Sequence, residues 1–477
     1  MKTYLFKTSL IIFMLTGLFF TSILPQNKKS EAEGIWQGTL KVSSIQLRII
    51  FKIKKTTDGQ LTATMDSPDQ KVRNFPTGKV LFAKDSLILE MPKAQIRYSG
   101  KINSKGTTVE GAWIQRGKIF PLNLKKVGNE KINNRYQEPK KPYPYNSEDV
   151  KYENKKVGIT LAGTFTYPKR GGPFTTVLLI TGSGAQNRNE ELLGHKPFLV
   201  LSDYLTRRGI AVLRVDDRGV GKSTGDFASA TSKDFAGDAL AGVEYLKTRK
   251  EVNKKEIGLI GHSEGGVIAP MVAVKSKNIA FIVLMAGTGL PGDQIFLKQG
   301  ELIARAEGLP ENYIRNETKF ESKLYDIIKN QPDSIKAHNE ILNEFRKYYN
   351  SLSQEERKKI GDTSVVLKKL SLVEKPWLKY FFKYDPAPVL EKVKCPVLAI
   401  NGSKDLQVSP KENLAAIKKA LTKGGNKDFK VVELKGLNHL FQTAKTGLPN
   451  EYRTIEQTIA PIALKTIGDW ILSITKM

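Results

Sequence analysis

Cysteine is nearly absent from this chain of 477 residues, with Cys395 standing alone. A single thiol makes no disulfide within the chain, and it leaves neither a CxxC redox pair nor a thiolate zinc site. Histidine is scarce too, limited to His195, His262, His338 and His439, so any imidazole chemistry has few candidates. Acidic residues are outnumbered, 48 against 76 Lys plus Arg, for a formal charge of +28. Such an excess can serve nucleic acid, anionic membrane or an acidic polymer. Here, however, the bases are mostly lysines spread from Lys41 to Lys476 among acidic residues. Zinc-finger spacing and aromatic RNA-binding signatures are both missing. The charge reads as a solvated basic surface, and nucleic acid is not an expected partner.

What is present is ample core material. Hydrophobic residues make up 40% and charged residues 26%, the usual globular mixture, and the length suits two or three folded units. Lys2 and Lys7 precede an apolar run from Leu10 to Leu24, followed by Pro25 and Gln26. A basic start and a short apolar stretch form a secretory signal, so residues 1–26 are expected to direct export to the periplasm or beyond. Ser22 to Gln26 offer no AxA cleavage pattern, which leaves an uncleaved amino-terminal anchor as the alternative. No cysteine ends the run, which excludes a lipoprotein anchor, and no stable membrane span is expected after processing.

From residue 31 to 127 the pattern is strand and turn. Ile45, Leu47, Ile49, Phe51 and Ile53 alternate strictly before a turn at Thr57, Asp58 and Gly59. Period two means a half-buried sheet. Gly34 with Trp36 and Gly111 with Trp113 resemble the first and last strands of small lipocalin-like barrels or half-barrels. The next stretch, 128–149, carries Pro139, Pro142 and Pro144 among polar residues and reads as a linker.

Beyond residue 150 apolar runs alternate with helical patterns. TTVLLIT (175–181), IAVLRV (210–215), IGLI (257–260), FIVLM (281–285) and PVLAI (396–400) have the continuous apolarity of strands covered on both faces. The expected fold class is α/β, a doubly wound and mostly parallel sheet spanning 150–477, with a small all-β domain before it.

Gly261, His262, Ser263, Glu264 and Gly265 spell GxSxG between a strand and a helical run. This is the pattern of a nucleophile elbow, in which a serine sits on a strained turn and small neighbours let the helix cross close to the strand. Serine alone is a poor nucleophile, so a base and an orienting acid must follow in the order Ser, acid, His. Asp405 follows the strand PVLAI, and His439 follows the strand 429–434. Asp385 is a rival acid, but it precedes Pro386 and suits the start of a turn. Backbone donors for an oxyanion are expected from Glu264 N–H and from the loop TGSG (181–184), at Ser183 with Gly184 as its neighbour. A phosphate-cradling reading of that loop lacks a following GK[ST], and GVGKST (219–224) lacks the spaced first glycine of a Walker motif.

These segments, with ITLAGTFTYP (159–168), DDRGVGKSTG (216–225), NGSKD (401–405) and GLNH (436–439), resemble the α/β-hydrolase superfamily. The resemblance is to serine hydrolases of the serine-aminopeptidase-like type and to two-domain bacterial carboxylesterases with an amino-terminal β module. It implies a Ser263, Asp405 and His439 triad that hydrolyses small-molecule carboxylic esters or N-terminal peptide bonds, with no metal and no organic cofactor. The first oxyanion loop departs from the pattern by starting TG rather than HG. Members of this kind carry a helical cap where this chain has 288–385, and Trp377, Tyr380, Phe381, Phe382 and Tyr384 are candidates to line its pocket. A carboxylesterase is the leading expectation. An aminopeptidase, with Asp293, Glu301 or Glu307 meeting the substrate ammonium, is the alternative, and a non-catalytic binder stands well behind both.

Overall fold

Alternation of apolar and polar residues is strong enough in the first described segment to build a sheet by itself. Ile49, Phe51 and Ile53 are all but completely buried, whereas Lys54 between the latter two and the turn is exposed. The computed structural model describes residues 32–127 and 135–475, apart from 43–44, 57–58, 68–69, 71, 355–356 and 358–374. The expected signal segment 1–26 and the turn residues Thr57 and Asp58 lie outside the described residues. The chain divides into two units, the second starting at Arg135.

The first unit is one antiparallel sheet. Its strands are β1 (Gly34–Val42), β2 (Ile45–Lys55), β3 (Leu61–Ser67), β4 (Val72–Pro76), β5 (Lys79–Ala83), β6 (Ser86–Met91), β7 (Ile96–Ile102), β8 (Thr108–Gln115), β9 (Lys118–Pro121) and β10 (Leu124–Val127). The order is β4-β3-β2-β1-β10-β8-β7-β6-β5, with β9 also paired to β8. Trp36 and Trp113 are core residues, and the Trp36 indole N–H donates to the Ala32 carbonyl at 2.9 Å.

The second unit holds an eight-stranded sheet: β11 (Asn146–Asn154), β12 (Ile159–Tyr167), β13 (Phe174–Ile180), β14 (Ala211–Val215), β15 (Val252–His262), β16 (Ile279–Met285), β17 (Val397–Gly402) and β18 (Phe429–Leu434). Their order is β11-β12-β14-β13-β15-β16-β17-β18, parallel from β14 to β18 and antiparallel at β11 and β12. Every apolar run read from the sequence is one of these strands. Alternate residues serve opposite faces, as period two requires. Val177 and Leu179 join Phe198, Leu201 and Leu205 of α1 (Pro197–Arg207) and Leu464, Ile467 and Ile471 of α2 (Pro461–Thr475). Leu178 and Ile180 meet the other layer, α3 (Ser232–Thr248) and α4 (Gly265–Ala273), through Val243, Val267 and Ile268.

The linker expected over 128–149 is corrected where it is described. Arg135 donates to the carbonyls of Ile455, Leu193 and Arg453, and Gln137 brackets Thr458 and Ile459, so this segment is bound onto the second unit. Strand β11 already begins at Asn146 and pairs along its whole length with β12. Proline density suggested a spacer, but Arg135 and Gln137, just before the prolines, find backbone partners more than three hundred residues away.

Between β16 and β17 the chain forms helices α5 (Gly292–Ala306), α6 (Glu311–Asn330), α7 (Ser334–Ser351) and α8 (Pro376–Lys383). Helix α6 buries Tyr313, Ile314, Glu317, Phe320, Glu321, Leu324 and Ile328, the i, i+3, i+4 stripe of a helix with one covered face. No helix among the described residues is long and apolar enough to cross a membrane.

The sheet reverses its winding at β13, which pairs with β14 on one side and β15 on the other. Crevices of α/β sheets open at such a switch point, beyond the carboxyl ends of the strands. Helix α4 must leave β15 sharply there, and it does so at van der Waals limits. A Cβ on Gly265 would sit 2.2 Å from the Ile180 carbonyl oxygen, and one on Gly261 would sit 2.0 Å from the Gly265 oxygen. Both obstacles are backbone and cannot swing away. Gly265→Ala is therefore expected to cost more than about 3 kcal/mol of stability or to prevent folding, checked by urea unfolding of the soluble fraction. Wild-type stability would contradict this close crossing.

Candidate active site

Ser263 lies at the end of β15 with φ +53°, the left-handed region that a non-glycine residue enters only under constraint. Its N–H donates to the Met285 carbonyl at 2.8 Å, and its own carbonyl accepts from Gly266 N–H at 2.9 Å. These two bonds hold the strained turn between neighbouring strand and following helix, as an elbow requires.

The loops after β17 and β18 bring Asp405 and His439 together. His439 Nδ1 is 2.8 Å from Asp405 Oδ2, and both residues are buried. The other carboxylate oxygen, Oδ1, accepts from Gln407 N–H at 2.8 Å and Val408 N–H at 2.9 Å. With one oxygen committed to backbone, the second is aimed at the ring and fixes which ring nitrogen carries the proton. The His439 loop is tied in turn by Asn438, whose side-chain oxygen accepts from Leu440 and Gln442 N–H. Asp385 instead accepts from Ala387 N–H at 3.0 Å at the start of a short helix, away from this role.

The loop after β13 approaches the elbow from the other side. A Cβ on Gly182 would lie 3.3 Å from the Ser263 Cβ. Gly182 N–H is already engaged with Glu190 Oε1 at 2.8 Å. Among the described residues no acceptor takes the N–H of Ser183, Gly184 or Glu264, so the expected oxyanion donors are the groups left open. The loop is braced by the DDR sequence after β14. Asp216 holds Arg188 through Nε at 3.0 Å and Nη2 at 2.7 Å, and Asp217 accepts from Thr181 Oγ1 at 2.7 Å and Gln186 N–H at 2.8 Å. Arg218 forks onto Asp238 of α3 at 2.6 and 2.8 Å. GVGKST makes a turn in which the Ser223 and Thr224 hydroxyls meet Ala162 and Thr160 N–H, which accounts for it without a phosphate.

Several side-chain contacts of the site escaped the sequence. Glu264 follows the serine with its carboxylate fully buried, accepting on one oxygen from Ser232 Oγ at 2.6 Å and Trp377 Nε1 at 2.7 Å. Trp377 thus fastens the cap helix α8 to the elbow rather than lining an open pocket. Phe381 and Phe382 are buried against Phe296 of α5, and Tyr380 stacks on Tyr384. A cavity of about 50 Å³ beside the elbow is lined by Tyr152, Gly182, Asp217, Phe227, Phe235 and Glu264 among others, and by none of the five aromatic residues expected there. A carboxylate directly before the apolar helical run 265–273 was the available signal for Glu264.

Burial dominates the electrostatics of this cavity. It pushes the Asp217 carboxyl up to about 8, against the two hydrogen bonds it accepts, with Glu264 and Glu190 adding to the rise. It pushes Glu264 up to about 6, against its bonds from Ser232 and Trp377.

Fold and site together define an α/β-hydrolase. A family model described as X-Pro dipeptidyl-peptidase, S15 family, matches residues 143–435, more than half of the chain, and the chain belongs to that family. The match includes Ser263 and Asp405 and stops before His439. The chain is similar to esterase EstD of Thermotoga maritima, 27% identical over 303 residues that cover 63% of this chain and 63% of that protein. It is also similar to a putative hydrolase, YtaP, of Bacillus subtilis, 30% identical over 136 residues covering 25% of this chain and 46% of that one. The chain therefore spans less than two thirds of either relative. Among solved structures, an esterase of Pyrococcus furiosus is 18% identical with a TM-score of 0.43, over 73% of this chain and 95% of that one. Est1E of Butyrivibrio proteoclasticus, solved with ferulic acid, is 18% identical with a TM-score of 0.42, over 69% and 100%.

Because burial favours the protonated native form of Glu264, folding takes up a proton between its ordinary value of 4.5 and about 6. Stability is fullest below that window and falls as pH rises through it. Glu264→Gln keeps an acceptor for Ser232 and Trp377 without the charge. It should be about 2 kcal/mol more stable than wild type at pH 7 and equal to it near pH 4, measured by urea unfolding. An equal difference at both pH values would refute the assigned cause.

Proposed function

We propose that this chain is a carboxylesterase that works through an acyl-enzyme on Ser263. The observation that supports it most is the 2.8 Å contact of His439 with Asp405, whose other oxygen is held by backbone. In this reading His439 accepts the proton of Ser263 as the serine attacks the ester carbonyl. The N–H groups of Glu264 and of Ser183, with Gly184 beside it, take the oxyanion. The protonated ring then delivers its proton to the leaving alkoxide, and water repeats the sequence on the acyl-enzyme to release the acid. Asp405 orients the ring and stabilises its charged form throughout. None of these steps calls for a metal or an organic cofactor.

The family's peptidase description makes aminopeptidase activity the second reading, and carboxylates beside the elbow are the feature that favours it. A substrate ammonium needs an ionised partner. Asp217, with its carboxyl pushed up to about 8, is mostly a neutral acid at pH 7. Of the three cap carboxylates expected for that role, two are already committed, Asp293 to Lys329 at 2.5 Å and Glu301 to Lys298 at 3.2 Å and Arg305 at 2.9 Å. An ester makes no such demand. The reading as a non-catalytic binder has no use for a serine held at φ +53°.

Asp405→Asn is expected to lower kcat on a p-nitrophenyl ester by at least about a hundredfold with little change in KM, because the ring loses its preferred tautomer. A loss below about tenfold would move the orienting role to another carboxylate. The wild-type rate should rise with pH through about 6 to 7 and then level, as a histidine base requires. Against aminoacyl-p-nitroanilides, and after division by each uncatalysed rate, kcat/KM should favour p-nitrophenyl acetate or butyrate. A normalised preference for the anilide would overturn the ester reading in favour of the peptidase.

A further inference from the structure

His262, the residue before the proposed nucleophile, is buried and both of its ring nitrogens face acceptors. Nδ1 is 2.9 Å from Glu190 Oε1, and Nε2 is 3.0 Å from the carbonyl oxygen of His439. A carbonyl only accepts, so Nε2 carries a proton. Glu190 Oε1 also accepts from Gly182 N–H at 2.8 Å, and an ionised carboxylate oxygen has the lone pairs to take a ring Nδ1–H as a second donor. A proton on Nδ1 as well would make the ring an imidazolium facing that carboxylate.

We propose that Glu190 and His262 form a permanent buried carboxylate–imidazolium pair that positions the oxyanion loop, the elbow and the His439 loop relative to one another. The proposal deepens the hydrolase reading above and rests on it for its catalytic consequence. One carboxylate oxygen holds the amide of Gly182, next to Ser183. The cation it pairs with is the last residue of β15 and grips the main chain of His439 beyond β18. Three loops from three strands are thus joined by three hydrogen bonds, one within the buried pair and two from it to main chain. Glu190 itself sits at φ +52°, so the backbone is bent to deliver this side chain.

The charge on His262 also acts on the base. The two rings are 4.9 Å apart between centroids. The groups facing His262 are Glu190 from the β13 loop, Asp405 from the β17 loop and His439 from the β18 loop, and Asp217 faces Glu190 in turn. Burial disfavours the charged ring, but Glu190, the His439 carbonyl and Asp405 together outweigh it and move its titration upward. With the pair intact its charges cancel at short range. Remove the cation alone, and an uncompensated carboxylate is left that favours protonated His439.

Glu190 and His262 are positioning residues, and their test separates position from mere stability. Full-length protein labelled with [15N]histidine is expected to show His262, assigned through His262→Gln, with both nitrogens protonated from about pH 5 to about pH 8. His262→Gln should move the acid limb of the kcat/KM profile upward by about half a pH unit or more. The double variant Glu190→Gln/His262→Gln should bring the limb back while kcat stays at least about tenfold low, since charge is balanced again but the geometry is not restored. A neutral His262 ring in the wild-type protein, or an acid limb unmoved in His262→Gln, would overturn the pair. Where His262→Gln does not fold, the wild-type resonances decide, since the double variant then supplies the assignment. An imidazolium signal in a protein without ester turnover would leave the pair standing and sink the hydrolase reading instead.

Discussion

The crossing of helix α4 over strands β13 and β15 is the constraint on which the rest of the second unit depends. Carbonyl oxygens of Ile180 and Gly265 occupy the space that side chains at residues 265 and 261 would need. That proximity forces the turn between them into a positive φ at Ser263 and sends the neighbouring side chains in opposed directions. His262 points into the protein toward Glu190 and His439, and Glu264 points toward Ser232 and the cap. The same turn leaves the Glu264 amide, at the start of a helix, without an internal acceptor. A helix N-terminus is where developing negative charge is favoured, so the strain of the elbow and the oxyanion role proposed for its amide have one origin.

Around that crossing the loops are held by buried ionisable groups rather than by apolar packing alone. Arg188 with Asp216 fixes the loop after β13, and Arg218 with Asp238 fixes the loop after β14 to its following helix. Burying such groups is costly, and each is compensated by a partner in fork geometry or by several hydrogen bonds. Asp217 and Glu264 have no cation against them, and burial accordingly raises both. Charge in this region follows a simple division: pairs brace the loops, and the cavity acids without a cation, Asp217 and Glu264, are shifted toward the protonated form.

The parallel strands and the elbow were legible because their signals are local. Runs such as FIVLM and the glycines around Ser263 state their environment within a few residues, and the loops bearing Asp405 and His439 follow strands that are themselves plain. The hairpin of β11 and β12 was only half legible, since β11 alternates polar and apolar residues at the sheet edge and begins inside a proline-rich stretch. What could not be read was contact at long separation. Glu190 meets His262 across 72 residues, and Trp377 meets Glu264 across 113. Arg135 and Gln137 find carbonyls over three hundred residues on. Periodicity carries no record of such pairs, and for the aromatic residues of the cap it left pocket lining and packing of the cap as equal alternatives, of which Trp377, Phe381 and Phe382 take the second.

The role proposed for Ser263 is tested most directly by reaction of the full-length protein with a fluorophosphonate probe, followed by peptide mass spectrometry. A single adduct on Ser263, absent from folded Ser263→Ala, is the predicted result. An adduct on a different residue, or a folded wild-type protein that takes up no probe, would contradict it.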